Sequence, residues 1–233
     1  MNKEVIIERT NDGSVTLYVP YLDEHYHSTN GAVQESQHVY LEAGLKYYIN
    51  TFYKNNTLYD NEIHVLEFGF GTGLNAFLTA LEAEKQKIKI RYIALEKFPL
   101  SEEIIENLNY FADNEFLFKQ IHLSEWGNSV QVSPYFTLHK VNIDFNLFNF
   151  PNCYDVVYFD AFAPDKQPEV WTQDLFDKIF SSMNYGGVLT TYCAKGIVRR
   201  MMQQAGFSVE RIPGAAGKRE MLRACMLRNS DSD

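Results

Sequence analysis

The sequence predicts an α/β protein. The core is a Rossmann-like, doubly wound and mostly parallel sheet with an antiparallel strand at its C-terminal end, and it carries a small N-terminal β-hairpin extension. Three observations support this. Strand-like apolar runs alternate with helix-like runs between Ile63 and Gln204, the order that builds βαβ units. Residues 65–75 read Val-Leu-Glu-Phe-Gly-Phe-Gly-Thr-Gly-Leu-Asn, a buried strand running through a glycine turn into a helix. A second strand, Arg-Tyr-Ile-Ala-Leu-Glu, ends at Glu96, 23 residues beyond Gly73, where a carboxylate can accept hydrogen bonds from both hydroxyls of a ribose.

The elements follow in order. Residues 4–8 and 14–19 are rich in β-branched side chains and flank Asn11-Asp12-Gly13, a hairpin signal. Residues 21–33 are polar and aromatic and read as a loop. Residues 34–53 set Val39, Ala43 and Tyr47 at helical spacing. The alternation then gives strand 63–68, helix 74–83, strand 88–95, a helix from about residue 101, and strands 136–141 and 154–159. The near-continuous apolar run of 154–159 suits a strand covered on both faces. Helix 171–183, strand 187–193 and helix 197–204, stopped by Gly206, precede a closing antiparallel pair at 207–212 and 220–227. No linker or repeat interrupts the chain, so residues 1–60 are expected to form an extension on a domain spanning 61–233.

Composition narrows the function. A net charge of −9 argues against indiscriminate binding of polyanions. From Thr190 onward, however, eight Lys or Arg face four Asp or Glu, a local excess that suits one defined anionic substrate or simply a solvated surface. Three widely spaced cysteines form no Cys-x-x-Cys pair, which suits a reducing compartment. The N-terminus has no apolar signal core, so a cytoplasmic location is expected. His25-x-His27 sits beside Asp23 and Glu24 but lacks a third well-spaced ligand, and no metal site is expected.

In a doubly wound sheet, ligands bind beyond the carboxyl ends of the strands. Glu67, Glu96, Asn142, Asp160 and Tyr192 finish strands. Gly69-x-Gly71-x-Gly73 fits the turn of an S-adenosylmethionine (SAM) methyltransferase, and Gly71-x-Gly73-x-x-Ala76 fits a dinucleotide fingerprint. Glu67 favours the first, since a carboxylate attracts an ammonium and repels a pyrophosphate. It can equally be a strand-end carboxylate satisfied by backbone N–H groups. Asp160-Ala-Phe-Ala-Pro164 follows strand 154–159. There an acid can orient an amine or take its proton, Phe162 can stack on a base, or Asp160 can merely cap a turn. Lys195, Arg199 and Arg200 open one helix, and residues 214–220 form a second basic turn with Lys218 and Arg219. Together they make either a phosphate-holding rim or solvated surface.

The motifs together resemble the SAM-dependent methyltransferases that complete 5-methylaminomethyl-2-thiouridine at the tRNA wobble position. The resemblance runs from about Tyr26 to Met221. It is carried by Tyr26-His-Ser28, Asn30-Gly31, Glu35-Ser36, the block 67–75, Glu96-Lys-Phe-Pro-Leu100, Asp160-Ala-Phe-Ala-Pro164, the stretch from Lys166 to Trp171, Gly196-Ile-Val-Arg-Arg200, Ala205-Gly-Phe207 and Gly217-Lys-Arg-Glu-Met221. It implies that SAM is held by Glu67, Gly69, Gly71, Thr72, Gly73, Asn75, Glu96 and Lys97. Asn142 and Ile143 would border the adenine, and Tyr26 and Ser28 would close over the cofactor. Asp160 and Phe162 would face the reacting base, and Lys166, Lys195, Arg199, Arg200, Lys218 and Arg219 would hold the anticodon stem-loop. Asn142 departs from the family, where an acid is common. In several members of that family this domain is fused to an FAD-dependent oxidoreductase; with the sequence ending at Asp233, a stand-alone version without an FAD step is expected. Other readings are a small-molecule amine N-methyltransferase or aminopropyltransferase, an NAD-dependent oxidoreductase, and an RNA-binding module with a degenerate cofactor site.

Overall fold

The computed structural model describes residues 5–54, 62–110, 114–151 and 153–227; Glu4 and the expected boundary at residues 60 and 61 lie outside them. The Asn11-Asp12-Gly13 turn joins β1 (Ile6–Arg9) to β2 (Val15–Val19), with Gly13 at φ +83°. A two-residue strand, β3 (Glu24–His25), completes a small antiparallel sheet. It is too short to show a sequence periodicity. Residues 32–53 are helical. After one ordinary stretch, α1 (Ala32–Ser36), the segments Gln37–Lys46 and Ile49–Tyr53 wind more widely, with Tyr47 N–H bonded to the Glu42 carbonyl and Lys54 N–H to that of Ile49. Gly44 lets this helix lie close on the sheet, since a Cβ there would sit 3.1 Å from the Tyr158 ring and 3.2 Å from Thr190 Oγ1.

The main sheet holds β4 (Glu62–Phe68), β5 (Lys89–Glu96), β6 (Ser129–Ser133), β7 (Phe136–Asn142), β8 (Tyr154–Phe159), β9 (Met183–Thr191), β10 (Ser208–Pro213) and β11 (Glu220–Cys225). Their spatial order is β10-β11-β9-β8-β4-β5-β7-β6. The five central strands are parallel, and both edges are antiparallel. The chain runs outward from β4 in one direction through β5 and β7, then returns to β8 on the other side. The switch point therefore lies between β4 and β8.

Helices cover both faces. Helix 32–53, α2 (Leu74–Gln86) and α4 (Glu115–Leu123) pack with Ile63, Val65, Tyr92, Val156 and Tyr158 on one side. α5 (Gln173–Ser182) and α6 (Gly196–Ala205) pack with Leu66, Phe68, Val157 and Phe159 on the other. This is the period-two alternation of a strand buried on both faces. It turns Glu67 toward the first face, between Leu66 and Phe68. Local chemistry sets the helix ends. Thr172 Oγ1 accepts from Leu175 N–H at the start of α5, and Gly206, at φ +115°, ends α6.

The helix expected from about residue 101 is a single turn, α3 (Glu102–Ile105). Asn107 ends it by returning its side-chain amide to the Glu103 carbonyl. Helix α4 and edge strand β6 were not evident in the sequence, β6 because its largely polar Ser-Val-Gln-Val-Ser lacks a buried face.

Candidate active site

The glycine turn follows β4 directly. Gly69 and Phe70 both donate their N–H to the Leu95 carbonyl, at 3.0 and 3.1 Å, which folds the turn over the end of β5. Gly69, Gly71 and Gly73 all have positive φ, at +94°, +48° and +70°. A Cβ on Gly69 would stand 2.5 Å from the Asp160 carbonyl oxygen, and one on Gly71 would stand 3.0 Å from the Tyr26 ring. Two histidines brace the turn from behind. His27 Nε2 lies 2.8 Å from Thr72 Oγ1, and His122 Nε2 donates to the Thr72 carbonyl at 3.1 Å. Burial lowers both imidazoles to about 4, so both are neutral near pH 7.

Above the turn is a hollow of about 950 Å³, roofed by the small sheet and by residues 97–104. It lies at the upper end of the usual range for small-molecule sites, with room for a nucleoside cofactor and a second ring. At one end Glu96 accepts from Gly71 N–H at 3.0 Å and from Phe98 N–H at 2.7 Å, and the Lys97 N–H also favours its ionised form. A carboxylate has about four acceptor sites, so capacity remains for a ribose hydroxyl.

At the other end Asp160, immediately after β8, accepts from Tyr40 on Oδ1 at 2.6 Å and from Asn75 on Oδ2 at 2.8 Å. The same Asn75 amide nitrogen donates to Glu67 Oε1 at 3.0 Å, so one side chain ties together two carboxyls. Burial raises Asp160 to about 7; Tyr40 and Asn75 oppose this, and the Glu35 charge adds to it. Glu67 is pushed well above the usual carboxyl range by burial and by the Asp160 charge, although Asn75 and Tyr92 favour its ionised form. Of the two carboxyls, Asp160 is therefore the one poised to ionise near neutral pH.

Tyr26, Ser28, Gly69, Gly71, Thr72, Asn75, Glu96, Lys97, Asp160 and Phe162 all line the hollow. Tyr26 meets Phe162 edge to face at 5.2 Å. Glu67, Gly73, Asn142 and Ile143 lie outside that lining. Glu67 is fully buried beneath Asn75, and His122 stands against Gly73. Asn142 spends its amide on the Glu96 and Lys97 carbonyls, at 2.8 and 3.1 Å, and Ile143 N–H bonds the Glu96 carbonyl. These two residues brace the end of β5. Lys97 pairs with Asp144 at 2.6 Å.

The basic residues divide into two groups. Lys166 and Lys218 line the hollow, whereas Lys195, Arg199, Arg200 and Arg219 lie outside it. Lys195 pairs with Asp165, and Lys166 with Asp23. Lys218 pairs with the buried Glu35. Sequence reasoning missed Tyr40, which sits in an apolar helical stripe and reads as core. It also left Glu35 and the bracing histidines without a role.

The donor set fits SAM. A Cβ on Gly69 has no room against the Asp160 backbone, and the Glu96 carboxylate keeps acceptor capacity where a ribose would lie. The Asn75 side-chain oxygen is buried and unpartnered among the described residues, an acceptor suited to the cofactor's ammonium.

Fold and hollow together define a Rossmann-like, class I SAM-dependent methyltransferase. A family model described as S-adenosyl-L-methionine-dependent methyltransferase matches residues 115–227. It is similar to the tRNA 5-methylaminomethyl-2-thiouridine biosynthesis bifunctional protein MnmC of Leptospira borgpetersenii, with 31% identity over 212 residues that cover 86% of this chain and 32% of the relative. The protein of the same name from Idiomarina loihiensis is 30% identical over 86% of this chain and 35% of its own length. The chain thus spans about a third of the length of these curated relatives. Among solved structures, MnmC2 from Aquifex aeolicus superposes with a TM-score of 0.77 at 25% identity, covering 98% of this chain and 72% of that one. Spermidine synthase from Thermotoga maritima shares the fold, with a TM-score of 0.59 at 13% identity over 95% of this chain and 68% of that one. SAM is accordingly the cofactor. No helix among the described residues is long and apolar enough to cross a membrane.

Proposed function

We propose that this chain methylates the primary amine of 5-aminomethyl-(2-thio)uridine at the wobble position of tRNA, giving 5-methylaminomethyl-(2-thio)uridine. The observation that carries the reading is Asp160: a carboxyl held by Tyr40 and Asn75, lining the same hollow as the glycine turn. The MnmC relatives are named for tRNA 5-methylaminomethyl-2-thiouridine biosynthesis, which supports the choice of substrate.

SAM, held by the glycine turn, Asn75 and Glu96, would supply a methyl carbon made electrophilic by its sulfonium, the S–C electron pair staying with sulfur as the amine nitrogen takes the carbon. The chain contributes orientation and proton control. Asp160, ionised above about pH 7, accepts an N–H of the amine and so turns the nitrogen lone pair toward the methyl. It then takes the proton that nitrogen sheds after alkylation and passes it to solvent. Phe162 and Tyr26 give the base an aromatic wall. Holding both reactants in one hollow supplies the proximity that such a transfer needs. On this reading Arg199, Arg200 and Arg219, outside the hollow, serve the anticodon stem-loop backbone, and the protein works in the cytoplasm.

The test is nucleoside mass spectrometry of tRNA incubated with the protein and isotopically labelled methyl donor. The expected result is one labelled methyl on the wobble 5-aminomethyl nitrogen. Label on another atom or another nucleoside overturns the assignment.

A further inference from the structure

Lys218 is half-buried, and its ammonium is engaged within the protein rather than free for a phosphate. Its Nζ lies 2.6 Å from Glu35 Oε1 and 3.9 Å from the centre of the Tyr192 ring. The loop around it is tightly fixed. Lys218 N–H bonds the Ala215 carbonyl at 2.8 Å, and Asn30 Nδ2 donates to the Ala216 carbonyl at 3.3 Å. Gly217, at φ +86°, packs so closely on Asn30 that a Cβ would lie 2.1 Å from its amide nitrogen. Glu35, on α1, is buried and also accepts from Ser28 N–H at 2.7 Å. Tyr192 is held by donation of its hydroxyl to the Ala161 carbonyl, at 3.0 Å. Lys218, Glu35, Tyr192 and Asp160 all line one end of the hollow, and both Lys218 and Glu35 act electrostatically on Asp160.

An ammonium beside a carboxylate presents a donor next to an acceptor. Uracil presents the complement on adjacent ring atoms: the O4 carbonyl accepts and N3–H donates. C4 also neighbours C5, the atom that bears the aminomethyl group. Cytosine presents the reverse, an N4 amino donor next to an unprotonated N3 acceptor. Lys218 has three N–H donors, and each Glu35 oxygen keeps a second lone pair, so the pair can read a base without breaking its own bridge.

We propose that Lys218 and Glu35 are the specificity-determining pair of this site, Lys218 donating to O4 and Glu35 accepting from N3–H of a 5-substituted uracil whose amine lies at Asp160. The inference rests on the amine-methylation reading above. It assigns Lys218 to the base rather than to the RNA backbone.

The experiment compares two anticodon stem-loops, one with 5-aminomethyluridine and one with 5-aminomethylcytidine at the wobble position. The proteins are the wild type, Lys218→Met and the double variant Glu35→Gln/Lys218→Met, which removes both charges and so leaves neither buried alone. Loss of matched polar recognition at a buried site costs large factors. Wild type should favour the uridine stem-loop by roughly 100-fold or more in kcat/KM. In both variants this preference should collapse to within about tenfold, mostly through loss on the uridine substrate. Thermal unfolding and the affinity for S-adenosylhomocysteine, read by calorimetry, should show the double variant folded and its cofactor end intact.

An unchanged uridine preference in a folded double variant overturns the proposal. So does a fall of about one in the salt slope of stem-loop binding at unchanged preference, which marks Lys218 as a phosphate contact. Failure of the wild type to methylate either stem-loop overturns the reading beneath and this proposal with it. That result is distinct from methylation with an unaltered base preference.

Discussion

The Tyr40 hydroxyl donates to Oδ1 of Asp160 at 2.6 Å, bridging 120 residues of sequence. Tyr40 rides on the wide-turn stretch of helix 32–53, and Gly44, one turn further on, brings that helix onto Tyr158 and Thr190. A hydroxyl donated to a carboxylate stabilises its ionised form, and a charge-assisted bond of ordinary strength corresponds to roughly one to two pH units. Tyr40→Phe should therefore move the acid limb of single-turnover methyl transfer upward by about one unit while largely keeping the high-pH plateau. Tyr48→Phe is the control. It removes a comparable buried bond, to Asp155 at 3.0 Å, but should leave the limb in place. Equal shifts in both variants would make Tyr40 a packing residue.

Asp160 should cost the fold stability in exchange for chemistry. Its carboxyl stands at about 7 in the folded chain against 3.8 as an ordinary aspartate, chiefly through burial. Between those values the folded chain keeps a proton that the unfolded chain releases, so the group's contribution falls as pH rises from about 4 to about 7 and the full cost is present above that. The gain in Tm of Asp160→Asn over wild type should be larger at pH 8 than at pH 4.5. Asp160→Ala should lower turnover at least 100-fold with S-adenosylhomocysteine affinity changed less than about fivefold. A pH-independent Tm difference, or full turnover in Asp160→Ala, contradicts this assignment.

The parts of this molecule legible in the sequence share one property: their signal is local. The glycine turn, Glu96 and Asp160 sit beside strands whose apolar runs announce them, and the structure puts most of that motif set in one hollow. The parts not legible depend on contacts remote in sequence. Glu67 looks like a ligand carboxylate from its position, but period-two alternation within β4 carries it under Asn75, fully buried. Lys218 reads as surface charge in a basic turn, yet its ammonium pairs with the buried Glu35, 183 residues away in sequence, from a loop in which Gly217 packs on Asn30. Asn142 finishes a strand as expected, yet it spends its amide on the neighbouring strand's carbonyls. Tyr40 and Val39 are indistinguishable as a helical stripe, because burial and hydrogen bonding leave the same periodicity.

Gly69 and Gly71 should differ in what an alanine costs. At Gly69 the added methyl meets a backbone carbonyl at 2.5 Å, and φ is +94°. Nothing there can yield without moving the Asp160 backbone. At Gly71 the obstacle is the Tyr26 ring at 3.0 Å, and φ of +48° lies within the left-handed region an alanine reaches at a cost of about 1 kcal/mol. Gly69→Ala should abolish calorimetric binding of S-adenosylhomocysteine and lower Tm. Gly71→Ala should stay folded and weaken binding by on the order of tenfold, since Tyr26 can swing aside. The reverse ranking would mean that the cofactor passes closest at Gly71.

Two neutral histidines grip Thr72 between them, one at its hydroxyl and one at its carbonyl. Both stand at about 4 in the folded chain against 6.5 in an ordinary histidine, chiefly because burial disfavours the cation. Below 6.5 the unfolded chain takes up protons that the folded chain refuses, so stability rises with pH from about 4 to 6.5 and is lost as pH falls through that window. The loss is roughly 1–3 kcal/mol per histidine. Urea midpoints of the wild type should drop between pH 7 and pH 4.5. His27→Gln/His122→Gln should start lower at pH 7, because the imidazole packing is lost, but should vary less over the same interval. Thr72 belongs to the turn that receives the cofactor, so S-adenosylhomocysteine affinity should weaken over the same interval in the wild type. Equal acid sensitivity in wild type and double variant would place the responsible protons elsewhere, and the bracing histidines would then be fixed by packing alone.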